Sequence, residues 1–352
     1  MKITKDFTGG NILVKEQKSN VFYLENELRD TKGDWFYWAF CVEGAQGKTL
    51  TFNFQQNRIG YWGPAVSHDL KNWEWLGECN GESFTYAFGE NEDKVFFAHD
   101  MLYHPDRFYR FAEEKKLEIK ELCKTRKGRS VPFIEFGKGE KTVILTSRHH
   151  ACEATGTYVL EGVLNELLEN PLPDTKVFCV PFVDFDGVVD GDQGKERTPH
   201  DHNRDYPKDG GTSIYNECAA IREYADRNGC AFGFDFHSPW HKSGQNDHLF
   251  IVQNSTEKLD ILNRFGEMLE KNISDKALKY YHKNDYAPNT GWNQTSPNFG
   301  QYMTIRPDNI LGFSFETTYF GENNNIVSQE KLVETGKCFA KTIKEFMENE
   351  NT

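Results

Sequence analysis

The sequence predicts an α/β protein in which a mixed, doubly wound sheet follows an antiparallel β-sandwich domain. Three observations predict this fold class. Residues up to about 100 form short alternating segments separated by turn residues, and from His104 onward strands alternate with helices. The 352 residues also exceed the length of most single domains. We therefore expect a β-sandwich domain over residues 1–102 and a second domain over residues 103–352.

The sandwich prediction rests on alternating segments rich in aromatic residues and on the lack of helix signals between them. These segments read NVFYLEN, WFYWAFCVE, LTFNFQQ, SFTYAFG and VFFAHDM. Their Phe, Tyr and Trp side chains suit the inner faces of two packed sheets, and a sugar-binding face is the alternative. Core packing is the favoured interpretation because alternation already accounts for most of the aromatic residues.

The second domain is predicted from segments whose apolar residues recur with strand or helix spacing. A helix opens at Pro105 and Asp106 and runs through RFYRFAEEKKLEIKELCK, with a break possible inside it. The basic run KTRKGR that follows is expected to be an exposed hairpin turn. The remaining elements are strand VILTS, helix ATGTYVLEGVLNELLE, strand KVFCVPFVD, helix SIYNECAAIREYADRN, strands AFGFDFH and HLFIVQ, helix TEKLDILNRFGEMLEKN, strand LGFSFET and helix SQEKLVETGKCFAKTIKEFME.

Composition and charge exclude several classes of function. The net charge of -13 argues against broad nucleic-acid binding, which needs clustered Lys and Arg. No apolar run is long enough to span a membrane. The N-terminal residues lack the apolar core of a secretory signal, and the 8 cysteines are scattered singly with no CxxC. We expect a cytoplasmic protein with reduced cysteines.

One strand-to-helix junction carries an unusual group of polar residues. The strand ending near Ser147 is followed by two histidines, a cysteine and a glutamate before the next helix begins. Open α/β sheets place their ligands at such strand ends. Two metal-binding pairs are possible from the spacing, His149 with Cys152 or His150 with Glu153.

Further polar residues follow other predicted strands, so we expect them to meet at the same edge of the sheet. His237 ends one strand and supplies a third metal ligand, as a zinc enzyme requires. Glu316 ends another strand, where it can act as a general base on a metal-activated water. Arg204 offers a planar fork for a substrate carboxylate, and Asn203 adds an amide hydrogen bond.

These residues together resemble the site of the M14 zinc carboxypeptidases, and the whole chain resembles their cytosolic carboxypeptidase branch. The HxxE pair, the later His-Ser and the C-terminal glutamate occur in the family's order. Within this resemblance the pair is His150 and Glu153 rather than His149 and Cys152. The segment YWGPAVSHDLKNWEWLG is similar to part of the small β-domain that precedes the catalytic domain in cytosolic carboxypeptidases.

The resemblance implies a fold of the zinc carboxypeptidase type, one Zn²⁺ ion and a role for each site residue. His150, Glu153 and His237 would hold the zinc, and Glu316 would act as general base. Asp201 would orient a zinc histidine, and Arg197 would polarise the scissile carbonyl. Asn203 and Arg204 would bind the substrate's free carboxylate, Tyr302 would lie near the leaving group and Arg306 would read an acidic substrate side chain.

The implied activity is hydrolysis of the C-terminal amide bond of a peptide or protein tail. An N-acyl amino acid deacylase is an alternative, because such enzymes have a similar HxxE and histidine site. A metal-bearing binding scaffold without catalysis is a further alternative, and replacing Glu316 by Gln would leave its function intact. The sequence predicts no nucleic-acid or membrane partner, and it leaves the oligomeric state open.

Overall fold

A computed structural model describes residues 1–208, 210–239, 247–294 and 297–350 of the chain. Residues 240–244, the second half of the polar segment DFHSPWHKSG, lie outside this range. Among the described residues no helix is long and apolar enough to cross a membrane.

Residues 1–102 form two sheets. A five-stranded sheet has the order β1-β4-β9-β6-β7, and a four-stranded sheet has the order β2-β3-β5-β8. The pairing of β3 with β5 is parallel, which differs from the purely antiparallel order predicted. The strands are β1 (Lys2–Thr4), β2 (Leu13–Lys18), β3 (Val21–Glu25), β4 (Ala39–Glu43), β5 (Thr49–Phe54), β6 (Ala65–Ser67), β7 (Glu74–Trp75), β8 (Ser83–Ala87) and β9 (Lys94–Ala98).

Strand β4 shows how alternation divides its side chains between two cores. Phe40 and Val42 belong to a buried aromatic cluster that draws on both sheets, together with Phe52 of β5. Ala39 and Cys41 point the other way and belong to the main core of the second half of the chain. The five-stranded sheet is therefore covered on one face by the four-stranded sheet and on the other by the α/β part.

The second half contains a seven-stranded mixed sheet in the order β10-β11-β13-β12-β14-β16-β15. Its four central strands β13, β12, β14 and β16 are parallel to one another, and the strands beyond them pair antiparallel. This agrees with the predicted α/β class. The strands are β10 (Lys120–Lys124), β11 (Ser130–Lys138), β12 (Lys141–Ser147), β13 (Thr175–Val180), β14 (Phe232–His237), β15 (Phe250–Val252) and β16 (Leu311–Glu316), and a separate hairpin joins β17 (Gly321–Glu322) to β18 (Asn325–Ile326).

The helices pack against this sheet, and two of them cross closely. The long helices α2 and α7 meet at Gly162 and Gly336, where an added Cβ would come 1.9 Å from a backbone carbonyl oxygen of the facing helix. Only glycine permits this approach. The helices are α1 (Pro105–Glu114), α2 (Ala154–Glu169), α3 (Phe185–Asp190), α4 (Asn216–Asn228), α5 (Leu259–Asn272), α6 (Phe299–Thr304) and α7 (Gln329–Glu350).

The predicted long helix after Pro105 is wrong in its second half. Helix α1 ends at Glu114, and Lys116 adopts a φ of 56°, which stops the helix. The following residues form β10, which pairs antiparallel with β11. The run KTRKGR lies at the turn of this hairpin, as predicted.

Candidate active site

The candidate site lies where three neighbouring parallel strands end. Strand β14 pairs with β12 on one side and with β16 on the other, and His237 and Glu316 are direct partners in the register of β14 and β16. The residues after β12 therefore emerge beside both of them. The predicted convergence of polar strand ends follows directly from this strand order.

Three side chains at this edge form a donor set for a metal ion. The Nδ1 atom of His150 lies 2.9 Å from Oε1 of Glu153, and the Nδ1 atom of His237 lies 2.7 Å from Oε2 of the same carboxylate. One ligand atom from each residue falls within 4.8 Å of the others. Two imidazole nitrogens and a carboxylate are a ligand set that suits Zn²⁺ and leaves a position open.

Carboxylates behind the two histidines hold their rings in this orientation. The Nε2 atom of His237 contacts Oδ2 of Asp235, and the Nε2 atom of His150 lies 3.6 Å from Oδ1 of Asp201. Burial alone raises the pKa of Asp201, but the interaction with His150 outweighs it and holds that pKa well below its usual range. Each histidine thus directs Nδ1 toward the shared site.

The other pair suggested by the spacing does not face this site. His149 is fully buried, and its Nδ1 and Nε2 atoms contact Asp235 and the hydroxyl of Tyr206 at 2.8 and 2.7 Å. His149, Asp235 and His237 also satisfy the spacing of a metal group, but all three are buried. Burial raises the pKa of the Cys152 thiol to about 12, so a thiolate ligand is disfavoured.

Glu316 lies beside the donor set without being part of it. Its Oε2 atom has no hydrogen-bond partner within the described part of the chain. Burial raises the pKa of Glu316 to about 7, against the nearby His237 ring, which lowers it. A carboxylate with a raised pKa next to a metal site has the properties of a general acid and base.

His150, Glu153 and Glu316 line a cavity of about 600 Å³. Arg204 and Asn203 also line this cavity, and Oδ1 of Asn203 accepts a hydrogen bond of 3.3 Å from the Phe299 amide. Trp35 reaches the cavity from the N-terminal sheets. The cavity therefore brings together two residues of the metal donor set, a buried acid and a guanidinium.

The chain is similar in sequence to two groups of known proteins. No protein-family profile matches the chain. An uncharacterised protein of Zymomonas mobilis is 23% identical over 336 residues, which are 90% of this chain and 85% of that protein. Cytosolic carboxypeptidase 2 of Xenopus tropicalis is 24% identical over 243 residues, or 60% of this chain and 25% of that protein. The chain thus matches only about a quarter of this longer relative.

Solved structures share the fold over the whole chain. A metallo-carboxypeptidase from Pseudomonas aeruginosa superposes with a TM-score of 0.81 at 18% identity, covering 99% of both chains. A metallo-carboxypeptidase from Burkholderia cenocepacia gives a TM-score of 0.79 at 18% identity, also covering 99% of both. The chain is therefore similar in sequence to cytosolic carboxypeptidases and shares its fold with the solved metallo-carboxypeptidases. Its sequence relationship is to the cytosolic carboxypeptidases.

The structure does not bring Arg197 to the position expected for it beside the metal donors. Its guanidinium contacts Asp30 at 3.1 Å, Asp184 at 2.8 Å and Asp192 at 3.0 Å. It lines a separate cavity of about 430 Å³ rather than the one with the metal donors. Three carboxylates therefore surround the Arg197 guanidinium.

Lys195 reaches the cavity instead. Its Nζ atom contacts Oε1 of Glu153 and lies 4.5 Å from the centre of the Trp35 indole ring. Burial alone lowers the pKa of Lys195, but the Glu153 carboxylate outweighs it and raises that pKa, so the side chain is a cation. The sequence prediction missed Lys195 because the family resemblance pointed to Arg197, two positions later.

Tyr302 and Arg306 also lie away from the cavity, which corrects two further expectations. The Tyr302 hydroxyl donates to Oδ1 of Asp226 at 3.2 Å, and Arg306 pairs with Asp226 and Asp308. Tyr302 on α6 and Arg306, two residues after the end of α6, therefore both contact α4 at Asp226. The phenol that lines the cavity is Tyr286, whose ring stacks on Trp292 with centroids 4.7 Å apart. No periodic pattern around Tyr286 marks it in the sequence.

Proposed function

We propose that the protein is a zinc metallocarboxypeptidase that hydrolyses the C-terminal amide bond of a peptide or protein tail. The observation that carries this proposal is the donor set of His150, Glu153 and His237 beside the buried acid Glu316. His150, Glu153 and Glu316 line the same cavity as Arg204. The relationship to cytosolic carboxypeptidases supports the same reaction.

The donor set would hold one zinc ion. When bound, zinc would supply Lewis-acid activation of a water molecule and of the substrate carbonyl. The chain's own contribution begins with Asp201 and Asp235, which keep the two imidazole rings turned so that both Nδ1 atoms face Glu153. This prior ordering of the ligands lowers the entropy cost of binding the ion.

Glu316 is proposed to carry the proton through the reaction. Its buried carboxylate would accept a proton from the attacking water and deliver it to the leaving nitrogen as the C–N bond breaks. The pKa of about 7 suits both transfers near neutral pH. A free Oε2 atom, without a protein partner among the described residues, leaves one oxygen available for this proton.

Arg204 and Asn203 are proposed to bind the free carboxylate of the substrate's last residue. Arg204 donates only one hydrogen bond within the described protein, of 3.2 Å to the Asn203 carbonyl. The rest of its guanidinium fork can donate to a carboxylate. A site that recognises a terminal carboxylate removes end residues and does not cleave internal bonds.

The organisation and location of the protein complete the proposal. The aromatic cluster between the two N-terminal sheets supports a β-sandwich domain over residues 1–102, followed by the catalytic domain over residues 103–352. The names of its cytosolic relatives and the 8 cysteines, scattered singly with no CxxC, support a cytoplasmic location.

A peptide screen with a direct metal measurement tests this function. Peptides that differ only in their last residue would each be prepared with a free carboxylate and with a carboxamide, and products would be identified by mass spectrometry. We expect about one zinc per chain, loss of single terminal residues from the free acids, and no cleavage of the amides. Cleavage of the amides at internal bonds, or faster hydrolysis of N-acyl amino acids than of peptides, would contradict the proposal.

A further inference from the structure

Amide hydrolysis places a demand on the cavity that Glu316 and Arg204 do not meet. When water adds to the amide carbon, an electron pair moves onto the carbonyl oxygen, which becomes negatively charged. A fixed positive donor beside that oxygen stabilises this state more than the bound substrate. Arg204 is assigned to the substrate carboxylate in the function proposed above, on which this inference rests.

Among the described residues that line the cavity, Lys195 and Arg204 are the two with a lysine or arginine side chain. Only 7% of Lys195 is exposed, although lysine normally extends into solvent. Its ammonium group lies between the Glu153 carboxylate and the face of Trp35. A buried cation held on two sides has few alternative positions, which is the property that such a donor needs.

The backbone explains why Lys195, and not Arg197, reaches this position. Gly194 has a φ of +74°, and an added Cβ there would lie 2.2 Å from the Ala151 amide nitrogen, so only glycine fits. Asp30 accepts hydrogen bonds from the Gln193 and Gly194 amides, at 3.0 and 2.8 Å. The loop is thereby held against the residues that lead into Glu153.

The chain then turns sharply before it reaches Arg197. Glu196 has a φ of +48°, a left-handed conformation, and its amide donates to Oδ2 of Asp201 at 3.1 Å. In an extended strand, residues two apart would face the same way. Because of this turn, Lys195 and Arg197 line different cavities.

We propose that Lys195 is a catalytic residue that donates a hydrogen bond to the scissile carbonyl oxygen and stabilises its developing negative charge, with Trp35 as a positioning residue behind it. Lys195 keeps its proton throughout. The new bond joins the water oxygen to the carbonyl carbon, and the C–N bond breaks. Glu316 transfers the proton to the departing nitrogen.

The test compares the zinc-loaded wild-type protein with Lys195→Met, which keeps the length of the side chain and removes its charge. The probe is a peptide phosphonate of one fixed sequence from the peptide screen, in which a tetrahedral anionic group replaces the C-terminal amide bond. We expect kcat/KM and phosphonate affinity to fall together by about 10²–10³-fold, with unchanged zinc content and unchanged affinity for the free amino acid product. Lys195→Arg should recover part of both losses, because it restores a charged donor.

Lys341→Met is the matched control, because Lys341 is exposed on helix α7. Wild-type phosphonate affinity in zinc-loaded Lys195→Met would overturn the assignment. Loss of zinc from that variant would also overturn it and would assign Lys195 to metal retention. A wild-type protein that cleaves no peptide refutes the proposed function separately, and the phosphonate titration still decides the role of Lys195.

Discussion

The Nδ1 atom of His237 lies 2.7 Å from Oε2 of Glu153, although 84 residues separate them in the chain. Glu153 precedes helix α2, and His237 ends strand β14. The parallel pairing of β12 with β14 brings these two chain segments to one edge of the sheet. The proposed metal site therefore depends on the sheet topology as much as on its own side chains.

Replacing Glu316 by Gln should abolish most of the activity while zinc remains bound. Glutamine keeps the size of the side chain but cannot accept a proton, so kcat should fall by about 10²–10⁴-fold with little change in KM. Steady-state kinetics and metal analysis measure both quantities. Glu257→Gln, at an exposed position before α5, should match the wild type. Full activity of Glu316→Gln would instead favour the non-catalytic scaffold.

Replacing Arg204 by Gln should weaken binding of peptides that end in a free carboxylate. A charged hydrogen bond contributes about 1.5–3 kcal/mol, so KM should rise by roughly 10–100-fold with a smaller effect on kcat. The preference for free acids over C-terminal amides should shrink by the same factor. Arg227→Gln, at an exposed position of α4, serves as the control. An unchanged preference for free acids would show that another residue binds the carboxylate.

Replacing Asp201 by Ala should weaken zinc binding without removing a ligand. The substitution releases the Nε2 side of the His150 ring, which lies 3.6 Å from the carboxylate. Loss of such an orienting partner typically costs about 10–100-fold in metal affinity. Competition with a chromogenic chelator measures the change, and the exposed Asp275→Ala is the comparison. Equal zinc affinity in both variants would argue against an orienting role.

The sequence predicted the meeting of His150, Glu153, His237 and Glu316 because each residue sits at the end of an element with a clear pattern. The ends of parallel strands must lie at one edge, so periodicity predicted that these segments converge. The choice of His150 with Glu153 over His149 with Cys152 came from the family resemblance. The placement of Arg197 could not be predicted in this way. It depends on the left-handed backbone of Glu196, which no local composition marks.

Two further differences have similar physical causes. Residues 115–124 carry helix-forming Lys, Glu and Leu, but pairing with β11 makes the last five of them a strand. Tertiary pairing overrode the local helix preference there. Tyr286 lines the cavity from the connection between α5 and α6, two residues after the short 3₁₀ helix His282–Asn284. No amphipathic periodicity there indicates which side chains face inward.

Asp100 provides a prediction about stability and pH that is independent of the active site. Its carboxyl group is fully buried, and neither oxygen has a hydrogen-bond partner in the described part of the protein. Burial raises the pKa of Asp100 from 3.8 to about 7, against the charge of Arg148, which lowers it. The folded protein therefore retains this proton at pH values where the unfolded chain has released it.

It follows that the stabilising effect of this proton is complete below about pH 4 and is lost as the pH rises through about 7. Asp100→Asn keeps the shape of the side chain and cannot ionise. From pH 5 to pH 8, the free energy of unfolding should therefore fall more for the wild type than for Asp100→Asn, by about 1–3 kcal/mol. Urea unfolding of both proteins at fixed zinc concentration measures the difference, and the exposed Asp260→Asn should follow the wild type. Parallel pH profiles for the wild type and Asp100→Asn would mean that Asp100 stays ionised in the fold, with Arg148 compensating its burial.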